Sequence, residues 1–202
     1  MKKLTRAAVM GVGAIGLTIG GVAAADASIP KHRFEMVRTA GLAATCAPEA
    51  TATVTIRSLG PVEVMSVDAR GLPADTEFDL FVTQVPNAPF GLSWYQGDLE
   101  TNYKGKAHGT FVGRFSQETF SVAVKGGVPA PVVHDGSDAA SNPATAPVHQ
   151  FHLGLWFNSP EDAEAAGCPA IVTPFNGEHD AGIQILNTGT FPDGAGPLGE
   201  IG

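Results

Sequence analysis

Phe151-His152-Leu153-Gly154-Leu155-Trp156-Phe157 is the stretch on which the fold turns. Phe151, Leu153, Leu155 and Phe157 recur at every second position, the period of a strand whose side chains alternate between two faces. The spacing predicts a strand within 148–157, with these four residues in the core and His152 and Trp156 on the other face. Thr51–Arg57 alternates in the same way, and Phe78, Leu80 and Val82 alternate with Glu77, Asp79 and Thr83. Val62–Ala69 resumes the pattern, but its apolar phase shifts between Val64 and Met65, where a bulge is expected. Gly109–Phe115, Thr119–Val124 and Gly182–Asn187 are further strand candidates. The 25 Gly and 15 Pro act as turn makers between these runs, which fits a fold with many short strands. The expected class is all-β: an antiparallel β-sandwich of immunoglobulin or fibronectin type, with about seven to nine strands.

One helix is signalled. Ser159-Pro160-Glu161-Asp162-Ala163-Glu164-Ala165-Ala166-Gly167 offers an N-cap Ser, Pro at the first position, acids in the first turn and a terminal Gly. Leu72-Pro73-Ala74-Asp75-Thr76-Glu77-Phe78 resembles the corner of fibronectin-type sandwiches, although Phe78 stands where a tyrosine would supply a hydroxyl.

The N-terminus reads as an export signal over residues 1–27. Lys2, Lys3 and Arg6 precede an uncharged run from Ala7 to Ala24, and Ala25 and Ala27 fit the small-residue rule for cleavage before Ser28. That run is short and Gly-rich for a membrane span, so no membrane association is expected once it is removed. Residues 28–48 read as an N-terminal arm and 49–202 as the β-domain. In an oxidising compartment the two cysteines, Cys46 and Cys168, are expected to form a disulfide. The formal charge of −8 becomes −10 once the three cations and one acid of the signal are gone. Such a chain lacks the basic surplus of a nucleic-acid binder.

Two long connections are expected, from Gln84 to about Ala107 and from Gly126 to Pro147, and long loops are frequent sites of function. The first holds Phe90, Trp94, Tyr95, Asp98, Glu100 and Tyr103, aromatics interspersed with acids that suit sugar stacking or a protein hot spot. Phe90 and Trp94 have an alternative role, folding inward to plug one end of the domain. The arm adds Lys31, Arg33 and Phe34, whose apolar and basic alternation suits strand addition to a partner as well as it suits a loose tail.

Signals for catalysis are weak. Gly91-Leu92-Ser93-Trp94-Tyr95 begins like a nucleophile elbow but ends in Tyr95 instead of Gly. His152, Glu178 and His179 are conceivable metal ligands only if the fold brings them together. No cofactor is expected. The leading expectation is therefore a secreted, non-enzymatic binding or adaptor module that recognises another secreted protein or a carbohydrate. A metal-dependent or carbohydrate-active hydrolase and a structural cell-wall or spore-surface component are the alternatives.

Pro86–Asn102, Gly113-Arg114-Phe115 with Glu118-Thr119-Phe120, Leu153–Cys168 and Thr173–Leu186 together resemble a family of small uncharacterised secreted β-sandwich proteins of actinobacteria. The resemblance implies export and a β-fold and carries over no catalytic residue. The general plan also resembles adaptor subunits of the umbrella toxin particles of Streptomyces, which implies a protein-linking role.

Overall fold

The computed structural model describes residues 31–91, 93–115, 150–174 and 180–201. The expected export signal, the expected strand at 119–124, the expected second long connection, Glu178 and His179 lie outside the described residues.

Among the described residues, eight antiparallel strands form one sheet: β1 (Lys31–Arg38), β2 (Thr51–Ser58), β3 (Glu63–Arg70), β4 (Glu77–Thr83), β5 (Ser93–Glu100), β6 (Ala107–Gly113), β7 (His152–Phe157) and β8 (Gln184–Asn187). The order across the sheet is β5-β4-β7-β8-β1-β2-β3-β6. The ladder runs without a break, and its two end strands approach each other, so the all-β class takes the form of a nearly closed, barrel-like sheet. The closing seam is a side-chain contact. Phe111 of β6 lies over Gly97 of β5, where a Cβ would come within 2.7 Å of the ring, and Leu99 packs against Gly109.

The inner face carries the core: Met36 from β1, Val54 and Ile56 from β2, Met65 and Val67 from β3, Phe78 and Leu80 from β4, Leu99 from β5, and Leu153, Leu155 and Phe157 from β7. These are the positions that strand alternation places on one side. Phe78 and Phe157, paired across β4 and β7, stack at 4.9 Å between ring centroids.

Several expectations change. Residues 31–38 do not form a free arm. They are an interior strand, paired with β2 along its length and with β8 at Val37–Asn187 and Arg38–Leu186, and Phe34 and Met36 are buried. The expected Gln84–Ala107 loop contains β5, whose alternation is interrupted by a bulge where Gln96 has no opposite number on β4. No bulge occurs at Val64/Met65, since β3 pairs in continuous register with β2 and β6. The apparent phase shift arises because Glu63 occupies an inward position, 2 % exposed, and approaches Arg114 at 3.8 Å. A carboxylate at that position is tolerable only with a cation beside it.

The corner before β4 forms without a tyrosine. Thr101 supplies the hydroxyl instead, donating to the Pro73 carbonyl at 2.7 Å and accepting from the Thr76 amide at 2.9 Å.

The helix α1 spans Pro160–Ala165, and its cap is the one the residues predict, with Ser159 Oγ accepting from the Asp162 amide at 3.1 Å. Gly167, at φ 74°, ends it. The Gly167 amide donates to Glu164 and that of Cys168 to Ala163, the paired bonds of a Schellman motif. Cys168 is thereby aimed at the β1–β2 connection, where it is bonded to Cys46 across 122 positions of sequence. Among the described residues no helix is long and apolar enough to cross a membrane.

Candidate functional site

The outer face of the sheet has two characters. Over β4, β7 and β8 it is covered. Phe81 and Trp156 meet edge to face at 5.3 Å, and Phe90, from the connection after β4, packs on Trp156 at 5.0 Å. Trp156 can lie flat because Gly154 precedes it on that face; a Cβ there would sit 2.3 Å from the indole. The covering segment is pinned by amides of β8, Gln184 Nε2 and Asn187 Nδ2 both donating to the Pro86 carbonyl, at 3.1 and 3.2 Å.

Beside this cover, β5 presents an open strip of Tyr95, Asp98 and Glu100, backed on β4 by the half-buried Glu77 and by Asp79, which is 1 % exposed. Register pairs Glu77 with Glu100, Asp79 with Asp98, and Phe81 with Tyr95. Cross-strand neighbours share a face, so four carboxylates and a tyrosine stand together. Tyr95 is 43 % exposed, meets Phe81 edge to face at 5.6 Å, and donates its hydroxyl to Asp98. Partial burial, then the bond to Asp98 and the field of Asp98, Asp79 and Glu77, push its phenol above the ordinary value of 10.0. The ring is thus held neutral and fixed among anions.

The other expected residues disperse. Trp94 is opposite Val82, on the inner side, half-buried at the end of β5. Phe90 folds onto Trp156 on the outer face. Tyr103, 71 % exposed, lies in the turn after β5, with the Lys104 ammonium 5.1 Å from its ring centroid. It is separated from Tyr95 by the length of the strand, about 16 Å for five residues. Tyr95, Asp98 and Glu100 alone come together from that set. Glu77 and Asp79, which complete the strip, were visible as the polar half of the β4 alternation, but their facing strand was not.

His152 is not available as a ligand. It is fully buried, with Nδ1 2.9 Å from Thr188 Oγ1 and Nε2 donating to the Pro192 and Asp193 carbonyls at 3.2 and 3.1 Å. Burial lowers its pKa from 6.5, so the ring is held neutral. Among the described residues no three His, Cys, Asp or Glu side chains are placed to hold a metal ion.

The outer face of β1 and β2 carries the opposite charge. Lys31 stands directly opposite Arg57, and both are exposed. Arg33, next but one to Lys31, is 3.7 Å from Glu35, which also accepts from Thr53 at 2.8 Å.

No protein-family model, no curated protein and no solved structure matches the chain.

Proposed function

We propose that this chain is an exported, non-enzymatic binding module whose working surface is the β4–β5 strip, and that its ligand is the cationic surface of another secreted protein. The observation that supports this reading is the Tyr95–Asp98 pair, an exposed aromatic ring fixed by a carboxylate and flanked by Glu77 and Glu100. An immobilised ring surrendering little rotamer freedom is the usual anchor of a recognition surface. Its π-face and the acids beside it suit Arg or Lys side chains. Export is supported by the basic and apolar N-terminal pattern and by the disulfide, which belongs in an oxidising compartment. The arm has no part in this reading, because β1 is consumed by the sheet.

Immobilised protein exposed to culture supernatant is expected to retain a partner that is eluted by salt. Tyr95→Ala and Asp98→Asn are expected to lose it. Equal retention by both variants, or no partner retained by the unmodified protein, rejects the reading.

A further inference from the structure

We infer that the β2–β3 turn docks on an anionic lipid surface, its apolar tip entering the headgroup layer while the cations behind it pair with lipid phosphates. This surface shares no residue with the β4–β5 strip.

Strand alternation builds the tip. Glu63 faces inward and pairs with Ser58, so Leu59 and Val62 stand side by side on the outer face. The Leu59 amide donates to the Val62 carbonyl at 2.8 Å and closes the turn. Leu59 is 47 % exposed, and Gly60, Pro61 and Val62 are exposed with it. One row back, Val64 pairs with Val112, which is 65 % exposed. Four apolar side chains therefore adjoin at the end of a hairpin. Contiguous exposed apolar side chains mark interaction sites, where single scattered ones do not.

The row of Val64 and Val112 also carries Arg57 and Lys31, both exposed. Two residues of strand, about 7 Å, separate that row from the tip. An interfacial element buries its apolar side about 5–10 Å into the boundary of headgroups and acyl chains. With Leu59 and Val62 at that depth, Lys31 and Arg57 reach the phosphates. The next row, Arg33, Thr55, Ser66 and Thr110, adds no acid. The first carboxylates on this face of the four strands, Glu35 and Asp68, flank Thr53, about 14 Å behind Lys31 and Arg57. That exceeds the Debye length of about 8 Å at physiological ionic strength, so these acids do not cancel the two cations.

The backbone of the tip suits the same environment, where an unpaired polar group is costly. Arg114 Nη1 donates to the Gly60 and Pro61 carbonyls, both at 3.1 Å, and Pro61 has no N–H. The guanidinium thus covers the carbonyls of the turn and adds a third cation beside it. A protein partner would need a concavity to match a projecting tip; a bilayer surface needs none. The absence of a spanning helix among the described residues has no bearing on a turn that enters only the interface.

Co-sedimentation of the full exported chain with vesicles tests this, using phosphatidylcholine alone or an equal mixture with phosphatidylglycerol. Binding is expected on the mixed vesicles only, and at about 0.5 M salt, where the Debye length is about 4 Å, it is expected to weaken severalfold. Lys31→Gln/Arg57→Gln is expected to weaken it about 25-fold, about fivefold for each cation. Leu59→Ser/Val62→Ser is expected to weaken it at least about tenfold, with an unchanged circular dichroism spectrum. Leu59→Trp is expected to add an emission that shifts to the blue on the mixed vesicles. A wild-type chain that ignores the mixed vesicles overturns the inference. So does binding that survives Leu59→Ser/Val62→Ser, or a Leu59→Trp emission that does not move. A chain that captures soluble polyglutamate but not the mixed vesicles has an acidic protein as its partner, and the lipid surface is rejected.

Discussion

Along β3, buried and accessible side chains alternate residue by residue, whereas every residue of β7 and β8 is buried. Both regions belong to one ladder and share one core. The difference lies outside the sheet: nothing described covers β3, while the segment after β4 folds over β7 and β8 and brings Phe90 onto Trp156. The exposed half can be read from its own period. The covered half depends on residues some sixty to a hundred positions distant in sequence, such as Pro86 beneath Gln184 and Asn187. A strand's period thus reports its inner face reliably and its outer face only where solvent is the neighbour.

The largest expected effect comes from separating the two regions. The Cys46–Cys168 bond ties the β1–β2 connection to the end of α1, beside β7. Cys46→Ala/Cys168→Ala is expected to lose about 4–5 kcal/mol on the chain-entropy account, read as a shift of the urea midpoint. An unchanged midpoint would mean that the two regions are held by packing alone.

Next is the outer cluster itself. Trp156→Ala is expected to cost about 3–5 kcal/mol, as for a core aromatic, while Thr110→Ala on the uncovered face of β6 stays within about 0.5 kcal/mol. Equal costs in urea melts would erase the distinction between the covered and open faces.

A smaller effect concerns pH. His152 lies beneath residues 188–193, with its pKa held below 6.5. As pH falls, the unfolded imidazole takes up its proton before the folded one, so this contribution to stability is complete above about pH 6.5 and is lost below it. Between about pH 7 and pH 5, stability is expected to fall more steeply in the wild type than in His152→Gln. Parallel profiles would show that His152 is not desolvated as described.

The smallest effect is spectroscopic and belongs to the open strip. In a Tyr103→Phe background, the remaining phenol is expected to ionise above its ordinary value of 10.0. Asp98→Asn should bring the transition, followed by ultraviolet absorbance, back toward that value.

Much of the inner architecture was legible in advance. Thr51–Arg57, the Phe78–Val82 run, the Ser159 cap, the closing Gly167 and the cysteine pair all carry local signals that tertiary structure did not overrule. β1 was readable in principle, because His32, Phe34 and Met36 alternate with Lys31, Arg33 and Glu35, but three charges on the other face gave it the look of a solvated arm. β5 was concealed by its bulge at Gln96 and by Gly97, which together break the period. The candidate site was half legible. Tyr95, Asp98 and Glu100 were in view, but their union with Glu77 and Asp79 is a matter of which strand lies beside which, and no local pattern encodes that.

The position of β1 has a consequence for the order of events during synthesis. Its neighbours are β2, which leaves the ribosome soon afterwards, and β8, about 150 residues later, with Val37 facing Asn187. Until β8 arrives, β1 is a bare strand edge, able to template the wrong pairing. Among the described residues, the first strand is thus joined at Val37 and Arg38 by the last, which raises the contact order and slows completion of the sheet. A chain cut short before Gln184 would leave that edge open, so truncation near the C-terminus endangers the N-terminal half of the molecule most.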